Sequence, residues 1–171
     1  MLWGIVARTE RNGSQRPSAT TGIRSSVFLG EYEHSVDGKG RIVMPRAYRE
    51  ELEGDIVITK GRDENLIVFR SEDYEEAGRE VKATAGTDKK GRAYARTFFS
   101  SADMQSVDAK TGRVLLKESL RDFAGIQPGN PVIVVGNFDT VELWNPDRYA
   151  RAKELGEERY LADEEGDPAF D

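Results

Sequence analysis

The sequence contains no cysteine and a single histidine, His34, among its 171 residues. The lack of cysteine excludes disulfides and zinc–thiolate sites. One histidine cannot form a multi-histidine metal site, and it leaves little material for a Ser/His/Asp triad. We therefore assign no catalytic residue, no metal ligand and no cofactor, and we interpret His34 as a half-buried or surface residue.

Long apolar runs are also missing. Stretches such as residues 132–135 fall far short of the ~20 residues that span a bilayer, and residues 1–7 are too few for a signal peptide. The sequence thus predicts a soluble, cytoplasmic chain with no membrane partner and no small-molecule substrate.

Acidic residues exceed basic ones, but the excess is unevenly placed. The net charge is −6; residues 154–171 have −7 and residues 1–26 have +3, which leaves −2 for residues 27–153. The near-neutral middle does not exclude nucleic acid as a partner. We interpret the acidic end as a solvated tail, with competition against DNA for basic loops as the alternative.

The strongest pattern is an internal duplication. Residues 40–44 (Gly-Arg-Ile-Val-Met) align with residues 112–116 (Gly-Arg-Val-Leu-Leu). Further pairs follow in the same order: Arg49 with Arg121, Gly61 with Gly136, Leu66 with Val141, Val68 with Leu143, Phe69 with Trp144 and Tyr74 with Tyr149.

The sequence pattern of each copy predicts the same order of elements: strand, Gly-rich loop, strand, short helix, strand, turn, strand and longer helix. In the first copy we expect a hairpin of residues 31–36 and 41–44, and strands at residues 55–60 and 66–69. Pro45 begins a helix whose body is residues 46–52 and whose C-cap is Gly54. The longer helices open at residues 71–73 and 145–147.

Residues 87–102 predict an amphipathic connecting helix with a basic outer side. Its aromatic residues are interpreted as helix packing rather than as a base-stacking platform: Tyr94, Phe98 and Phe99. Its basic residues are interpreted as a solvated face, with contact to flanking phosphates as the alternative: Lys89, Lys90, Arg92 and Arg96.

A loop that ends in Gly-Arg recurs in both copies. Its members are Asp37, Lys39, Gly40 and Arg41 in the first copy, and Asp108, Lys110, Gly112 and Arg113 in the second. An aspartate four residues before an arginine can hold the guanidinium by a bidentate contact across a tight turn. Two such loops could present arginines to phosphates or to the O6 and N7 atoms of guanine, whereas a solvated turn is the alternative.

Four segments together resemble the MraZ family, a relative of the AbrB-like swapped-hairpin transcription factors: residues 28–32 (Phe-Leu-Gly-Glu-Tyr), 37–41 (Asp-Gly-Lys-Gly-Arg), 45–49 (Pro-Arg-Ala-Tyr-Arg) and 141–144 (Val-Glu-Leu-Trp). The resemblance covers about residues 27–160. It implies an α+β fold of tandem duplicated AbrB-like swapped-hairpin β-barrel units with peripheral helices and pseudo-two-fold symmetry.

The resemblance further implies a nucleoid-associated bacterial regulator of the division and cell-wall gene cluster, which binds direct repeats in the promoter of its own operon. Its partners would be double-stranded DNA and copies of itself, in rings of eight or more subunits. DNA contact is carried over to Lys39, Arg41, Lys110 and Arg113. Loop orientation is carried over to Asp37, Gly40, Asp108 and Gly112.

The second loop departs from the pattern because Asp108 lies five residues before Arg113, not four. Either the loop bulges to restore the pairing, or Ala109 takes the place of the acid and Arg113 is less firmly held.

The domain organisation follows from the duplication. We expect a disordered extension at residues 1–26, a first domain at residues 27–83, a connecting helix at residues 84–102, a second domain at residues 103–150, and a helix end with acidic tail at residues 151–171. Residues 27–30 (Val-Phe-Leu-Gly) sit where family members begin with Met-Phe-Leu-Gly. The extension is therefore a possible start-site artefact.

Two other functional classes compete with DNA binding. AbrB-like folds also serve antitoxins, so an oligomeric protein-binding module is the alternative function. Paired acids such as Asp63 and Glu64 would suit acid–base catalysis, but they lack a partner nucleophile. Apolar strands at residues 56–58 and 132–135 exceed what two seventy-residue units would bury alone, which predicts a homo-oligomer.

Overall fold

The computed structural model describes residues 27–86 and 88–162; the expectations for residues 1–26 and for the acidic end beyond residue 162 lie outside them. The first copy comprises β1 (Glu31–Ser35), β2 (Arg41–Val43), α1 (Arg46–Arg49), β3 (Gly54–Lys60), β4 (Leu66–Arg70) and α2 (Ser71–Thr84). After α3 (Lys89–Ser100), the second copy comprises β5 (Asp103–Val107), β6 (Arg113–Leu115), α4 (Glu118–Ala124), β7 (Pro131–Asn137), β8 (Thr140–Trp144) and α5 (Pro146–Ala162). The predicted order of elements and the α+β class are both confirmed.

Six strands form one antiparallel sheet in the order β1-β7-β8-β4-β3-β5. The order is unchanged when the two copies are exchanged, because β1 corresponds to β5, β3 to β7 and β4 to β8. The first strand of each copy pairs with a strand of the other copy, with Glu31 opposite Val135 and Val107 opposite Gly54. Neither copy therefore completes its own part of the sheet.

The first two strands were predicted to form a hairpin, and this prediction is wrong except for a single β-bridge. β1 and β2 meet only where Val36 bridges Ile42, and β2 then pairs with β6 in a separate two-stranded ribbon. The strands diverge because each has a longer ladder available in the other copy, β1 with β7 and β2 with β6.

The hydrophobic core is shared by both copies. Buried side chains from β3, β4, β7 and β8 belong to one cluster: Ile56, Ile58, Leu66, Val68, Val132, Val134, Val141 and Leu143. The apolar strands at residues 56–58 and 132–135 are thus buried within one chain. The argument that they need a second copy of the chain to be buried is wrong. Burial of this kind contributes about 25 cal/mol per Å² of apolar surface to folding.

The first helix is shorter than predicted. It ends at Arg49 rather than at residue 52, and Gly54 is the first residue of β3 instead of a helix C-cap. The chain must leave the helix early because Gly54 already pairs with Val107 in the sheet. The predicted starts of the longer helices are confirmed, and Asn145 Oδ1 caps α5 by accepting from the backbone N–H groups of Asp147 and Arg148.

Helix α3 confirms packing for Phe98 and Tyr94, whereas Phe99 is 39% exposed although its ring contacts Phe98 edge to face. Phe98 is buried, and its ring stacks on Tyr74 of α2 with centroids 5.2 Å apart and on Tyr94 with centroids 6.2 Å apart. The predicted basic outer side is also confirmed, because four side chains are exposed: Lys89, Lys90, Arg92 and Arg96.

Substitution of Gly136 by alanine should destabilise the fold. A Cβ atom there would lie 2.4 Å from the backbone of Phe28 and Leu29, which cannot move aside cheaply because Phe28 is bonded to Phe138 and the Gly30 carbonyl accepts from Gly136 itself. We expect Gly136→Ala to lower the free energy of unfolding by about 1–3 kcal/mol or more in urea denaturation. Gly38→Ala is the matched control, since its Cβ would meet nothing within 4 Å, and equal midpoints for the two variants would contradict the close approach.

Candidate nucleic-acid interface

The first loop is organised around the carboxylate of Asp37. Oδ1 accepts from the backbone N–H groups of Lys39 and Arg41, each at 2.9 Å, and Oδ2 accepts from Nε of Arg41 at 2.9 Å. These contacts hold the pKa of Asp37 below its usual value, with the Arg41 backbone as the largest cause. The predicted Asp–Arg contact exists, but through Nε alone, because the backbone occupies the other oxygen. Among the residues that the structure describes, neither Nη group of Arg41 has a partner.

The second loop is built differently. Oδ1 of Asp108 accepts from the backbone N–H groups of Lys110 at 2.7 Å and Thr111 at 3.2 Å, and its carbonyl accepts from Gly112 at 2.8 Å. Within the described residues Arg113 has no side-chain partner. The loop therefore does not bulge to restore the Asp–Arg pairing, so the first alternative is wrong. The second alternative holds in part: Arg113 lacks the aspartate contact, but Asp108 and not Ala109 keeps the loop-starting position.

Both loops lead into the ribbon of β2 and β6. Arg41 lies opposite Leu115, Ile42 opposite Val114, and Val43 opposite Arg113. Because side chains alternate along a strand, the ribbon has two distinct faces. Ile42 and Val114 face the core and are buried. The opposite face, here called the outward face, consists of Arg41, Val43, Arg113 and Leu115.

The two arginines of the outward face are diagonal neighbours. Diagonal positions of an antiparallel pair have Cβ atoms about 7–8 Å apart. Lys39 and Lys110 lie exposed in the adjoining loops. The structure thus brings the four predicted DNA-contact residues to one two-stranded element and places the arginines on the same face.

Two arginines to which the sequence pattern assigned no role form hydrogen bonds at the ends of the ribbon strands. Nε of Arg49 donates to the carbonyl of Met44 at 2.9 Å, and Nε of Arg121 donates to the carbonyl of Leu116 at 3.0 Å. Each lies against the loop glycine of the other copy: a Cβ on Gly112 would be 2.6 Å from Nε of Arg49. The signal that could have found this pair was the alignment of Arg49 with Arg121. Gly40 has the same relation to Arg121, at 3.1 Å.

The outer edges of the ribbon are held by side chains at matching positions. Gln105 accepts from the backbone N–H of Leu115 at 2.9 Å and donates to its carbonyl at 2.7 Å. His34 is partly buried beside the backbone of Val43, which raises the pKa of its imidazole. Residues 34 and 105 each stand three before the loop aspartate, so His34 occupies the position of Gln105 in the first copy.

The remaining candidates do not assemble into a second site. Asp63 and Glu64 lie in the turn between β3 and β4, where Arg148 donates to the Glu64 carbonyl at 3.0 Å. No group of three or more metal-ligating side chains occurs within residues 27–86 and 88–162. In the same part of the chain, every helix is too short or too polar to cross a membrane.

Comparison with known proteins identifies the family. The family model described as "MraZ protein, putative antitoxin-like" matches residues 27–97. A protein named transcriptional regulator MraZ from Corynebacterium efficiens is 35% identical over 139 residues, which are 81% of this chain and 95% of the relative. The chain belongs to the MraZ family. The resemblance drawn from its loop and helix motifs is thereby confirmed.

Two further MraZ relatives carry the same name, transcriptional regulator MraZ. The protein from Salinispora arenicola is 38% identical over 141 residues, 82% of this chain and 92% of the relative. The protein from Acetivibrio thermocellus is 37% identical over 123 residues, 72% of this chain and 84% of the relative. These are names of regulators and not of enzymes, in agreement with the assignment of no catalytic residue.

The titration of His34, at the edge of the ribbon, makes the stability of this MraZ family member depend on pH. Partial burial, followed by the nearby charge of Arg49, lowers the pKa of His34, while the bond to Val43 raises it. The unfolded chain therefore binds the proton at a higher pH than the folded chain does. Stability contributed by the neutral imidazole is complete above the unfolded pKa of about 6.5 and is lost as the pH falls below it.

His34→Gln reproduces the residue that the second copy uses at this position. We expect the variant to lose less stability than the wild type between about pH 7.5 and about pH 5.5, because glutamine does not titrate. Urea denaturation at both pH values measures the loss of unfolding free energy in each protein. Comparison of the two losses cancels the titration of carboxylates, which both proteins share. Equal losses in the two proteins would show that His34 titrates alike in the folded and unfolded chains.

Proposed function

We propose that the chain is a sequence-specific DNA-binding transcriptional regulator that uses the outward face of the β2/β6 ribbon as its reading surface. The observation that carries the proposal is the pair of arginines on one face of a two-stranded ribbon, Arg41 partly exposed and Arg113 exposed. The major groove of B-DNA admits a two-stranded β-ribbon, and arginine binds guanine O6 and N7 in a bidentate manner. The names of the relatives support the regulatory role.

The charge of the loops supports the same function. Each loop contributes one aspartate, one lysine and one arginine, so each is positive although the chain is acidic overall. Asp37 orients Arg41 before any ligand arrives, which reduces the entropy lost on binding. Arg41 is therefore the stronger of the two reading residues, and Lys39 and Lys110 contact phosphates.

The fold proposed for the reading surface is a tandem pair of AbrB-like swapped-hairpin units. The pairing of β1 with β7 and of β5 with β3 supports it, since each copy donates its first strand to the other. The pseudo-two-fold axis then passes between β2 and β6. It presents Arg41 and Arg113 in related positions to successive base pairs.

The target and assembly are proposed from the family resemblance. The chain binds direct repeats in the promoter of its own operon within the division and cell-wall gene cluster, and it is associated with the nucleoid. Copies of the chain form a closed ring that places many ribbons on one side. Linked sites of this kind can gain ~100-fold or more in avidity, which offsets the weak charge of one subunit.

Removal of either arginine should weaken specific binding without unfolding the protein. We expect Arg41→Ala and Arg113→Ala each to cost about 1–3 kcal/mol per contact, with the larger effect at Arg41. The measurement is a gel-shift titration against the promoter region upstream of the chain's own gene, with unrelated DNA as competitor. Affinity should also fall with salt, by a slope of about −0.9 per phosphate neutralised.

Arg79→Ala is the matched control. Arg79 is exposed on α2, outside the ribbon, and within residues 27–86 and 88–162 its side chain forms only a long ion contact of 3.9 Å with Glu75. It removes the same charge as the test variants and should bind the promoter like the wild type. Wild-type affinity in both ribbon variants would exclude the ribbon as the reading surface and would favour the protein-binding alternative.

Ring assembly has its own test. Light scattering at micromolar concentration should return a mass several times that of one chain, and avidity for two tandem repeats should exceed affinity for one. The mass of a single chain would remove the ring and the avidity that depends on it. Promoter binding by such a monomer would leave the ribbon proposal intact.

A further inference from the structure

Two large apolar side chains are exposed between the arginines of the outward face. Val43 is 37% exposed and Leu115 is 46% exposed. They occupy equivalent positions of the two copies, the third residue after the loop glycine in each case. An apolar group at the same exposed position of both copies is not needed for the core, because the neighbouring Ile42 and Val114 already provide the buried side of the ribbon.

Each apolar side chain is the cross-strand partner of an arginine. Leu115 lies opposite Arg41, and Val43 lies opposite Arg113. Directly opposite residues have Cβ atoms about 4.5–5.5 Å apart, so each pair spans no more than a base-pair step or two. The outward face thus consists of two arginine–apolar pairs.

The backbone beneath these side chains is fixed. Both backbone polar groups of Leu115 are bonded by Gln105, and the strand at Val43 is held by its pairing with β6 and by the next residue, Met44, whose N–H donates to the Gly112 carbonyl at 2.8 Å. A side chain on a fixed strand presents its methyl groups at a defined place, as recognition of a small apolar group requires. A flexible loop tip would not do so.

We propose that Val43 and Leu115 contact thymine C5-methyl groups in the major groove, and that each specifies a thymine close to the base bound by its partner arginine. The methyl group of thymine is the apolar feature that the major-groove edges of the four bases present. The inference rests on the proposed DNA-binding function. It adds a second kind of base contact to the arginine contacts.

DNA fits this face better than a second protein surface does. Arg113 has no acidic partner within the described residues, and burial of an unpaired guanidinium against protein would be costly. A DNA groove supplies acceptors for both arginines and methyl groups for both apolar side chains at once. The charge and the apolar groups of the outward face are then satisfied by one partner.

The test replaces thymine by deoxyuridine, which removes the methyl group and leaves the hydrogen-bonding edges unchanged. Each thymine of the promoter duplex is replaced in turn, and the affinity of the wild type is measured by gel shift. We expect about three- to fivefold weaker binding at two or more positions near guanines, the ratio for losing burial of about one methyl group. An unchanged affinity at every position would overturn the inference.

Protein variants assign each sensitive thymine to its side chain. In Leu115→Ala one of the sensitive positions should bind thymine and deoxyuridine duplexes equally, and in Val43→Ser, which removes both methyl groups, the other should. Leu155→Ala is the matched control, because Leu155 is 49% exposed on α5 and should keep both effects. Thermal unfolding verifies that all three variants are folded.

The outcomes separate the two proposals. If the wild type binds the promoter and Arg41→Ala weakens binding, but Leu115→Ala and Val43→Ser retain full sensitivity to deoxyuridine, the inference fails and the proposed function stands. If these two variants instead change the mass in light scattering while sensitivity is retained, the apolar pair belongs to a contact between copies and the inference again fails. Failure of the wild type to bind promoter DNA overturns both.

Discussion

The structure depends on backbone pairing between the two copies of the repeat. β1 completes the sheet beside β7 and β5 completes it beside β3, so each edge strand is held by the other copy. The same constraint creates the ribbon, whose strands have three residues each. Two such short strands would not be stable alone in water. They persist because their buried residues, Ile42 and Val114, belong to the shared core.

Reciprocal contacts extend this dependence to the loops. Met44 donates its backbone N–H to Gly112, and Leu116 donates to Gly40, both at 2.8 Å. Arg49 and Arg121 then cover the glycines of the opposite copies. Each loop proposed to contact DNA is thus positioned by residues from the other half of the chain. The rigidity that base recognition would require comes from the whole duplicated body and not from the loop sequence.

The duplication is not perfect at the candidate site, and its departures have physical consequences. The first loop places its aspartate four residues before the arginine and bonds it, whereas the second has a spacing of five and leaves Arg113 without a side-chain partner among the described residues. His34 and Gln105 occupy equivalent positions with different chemistry, and only the histidine titrates near neutral pH. The two halves of the proposed reading surface therefore differ in preorganisation and in pH response.

Much of this was available from the sequence, because it was encoded locally. The order of the strands along the chain, the helix starts and the positions of the loop aspartates follow from turn residues, caps and apolar periodicity within each copy. The repeat alignment paired Arg49 with Arg121, but their task of covering glycines was hidden, since the contact joins residues about seventy positions apart in the chain. The sequence predicted α1 to be longer than it is, because the pairing of Gly54 with Val107 of β5 leaves no signal in the local sequence pattern.

The sequence by itself determined which elements form, which family the chain belongs to and which loop residues face solvent. Tertiary structure alone decided which strand pairs with which, since antiparallel partners are selected by packing across the whole sheet and not by neighbours in the chain. It made one face from four residues of two distant strands, Arg41, Val43, Arg113 and Leu115. It also decided that the apolar strands are covered within one chain, because the exchange of β1 and β5 between the copies buries them.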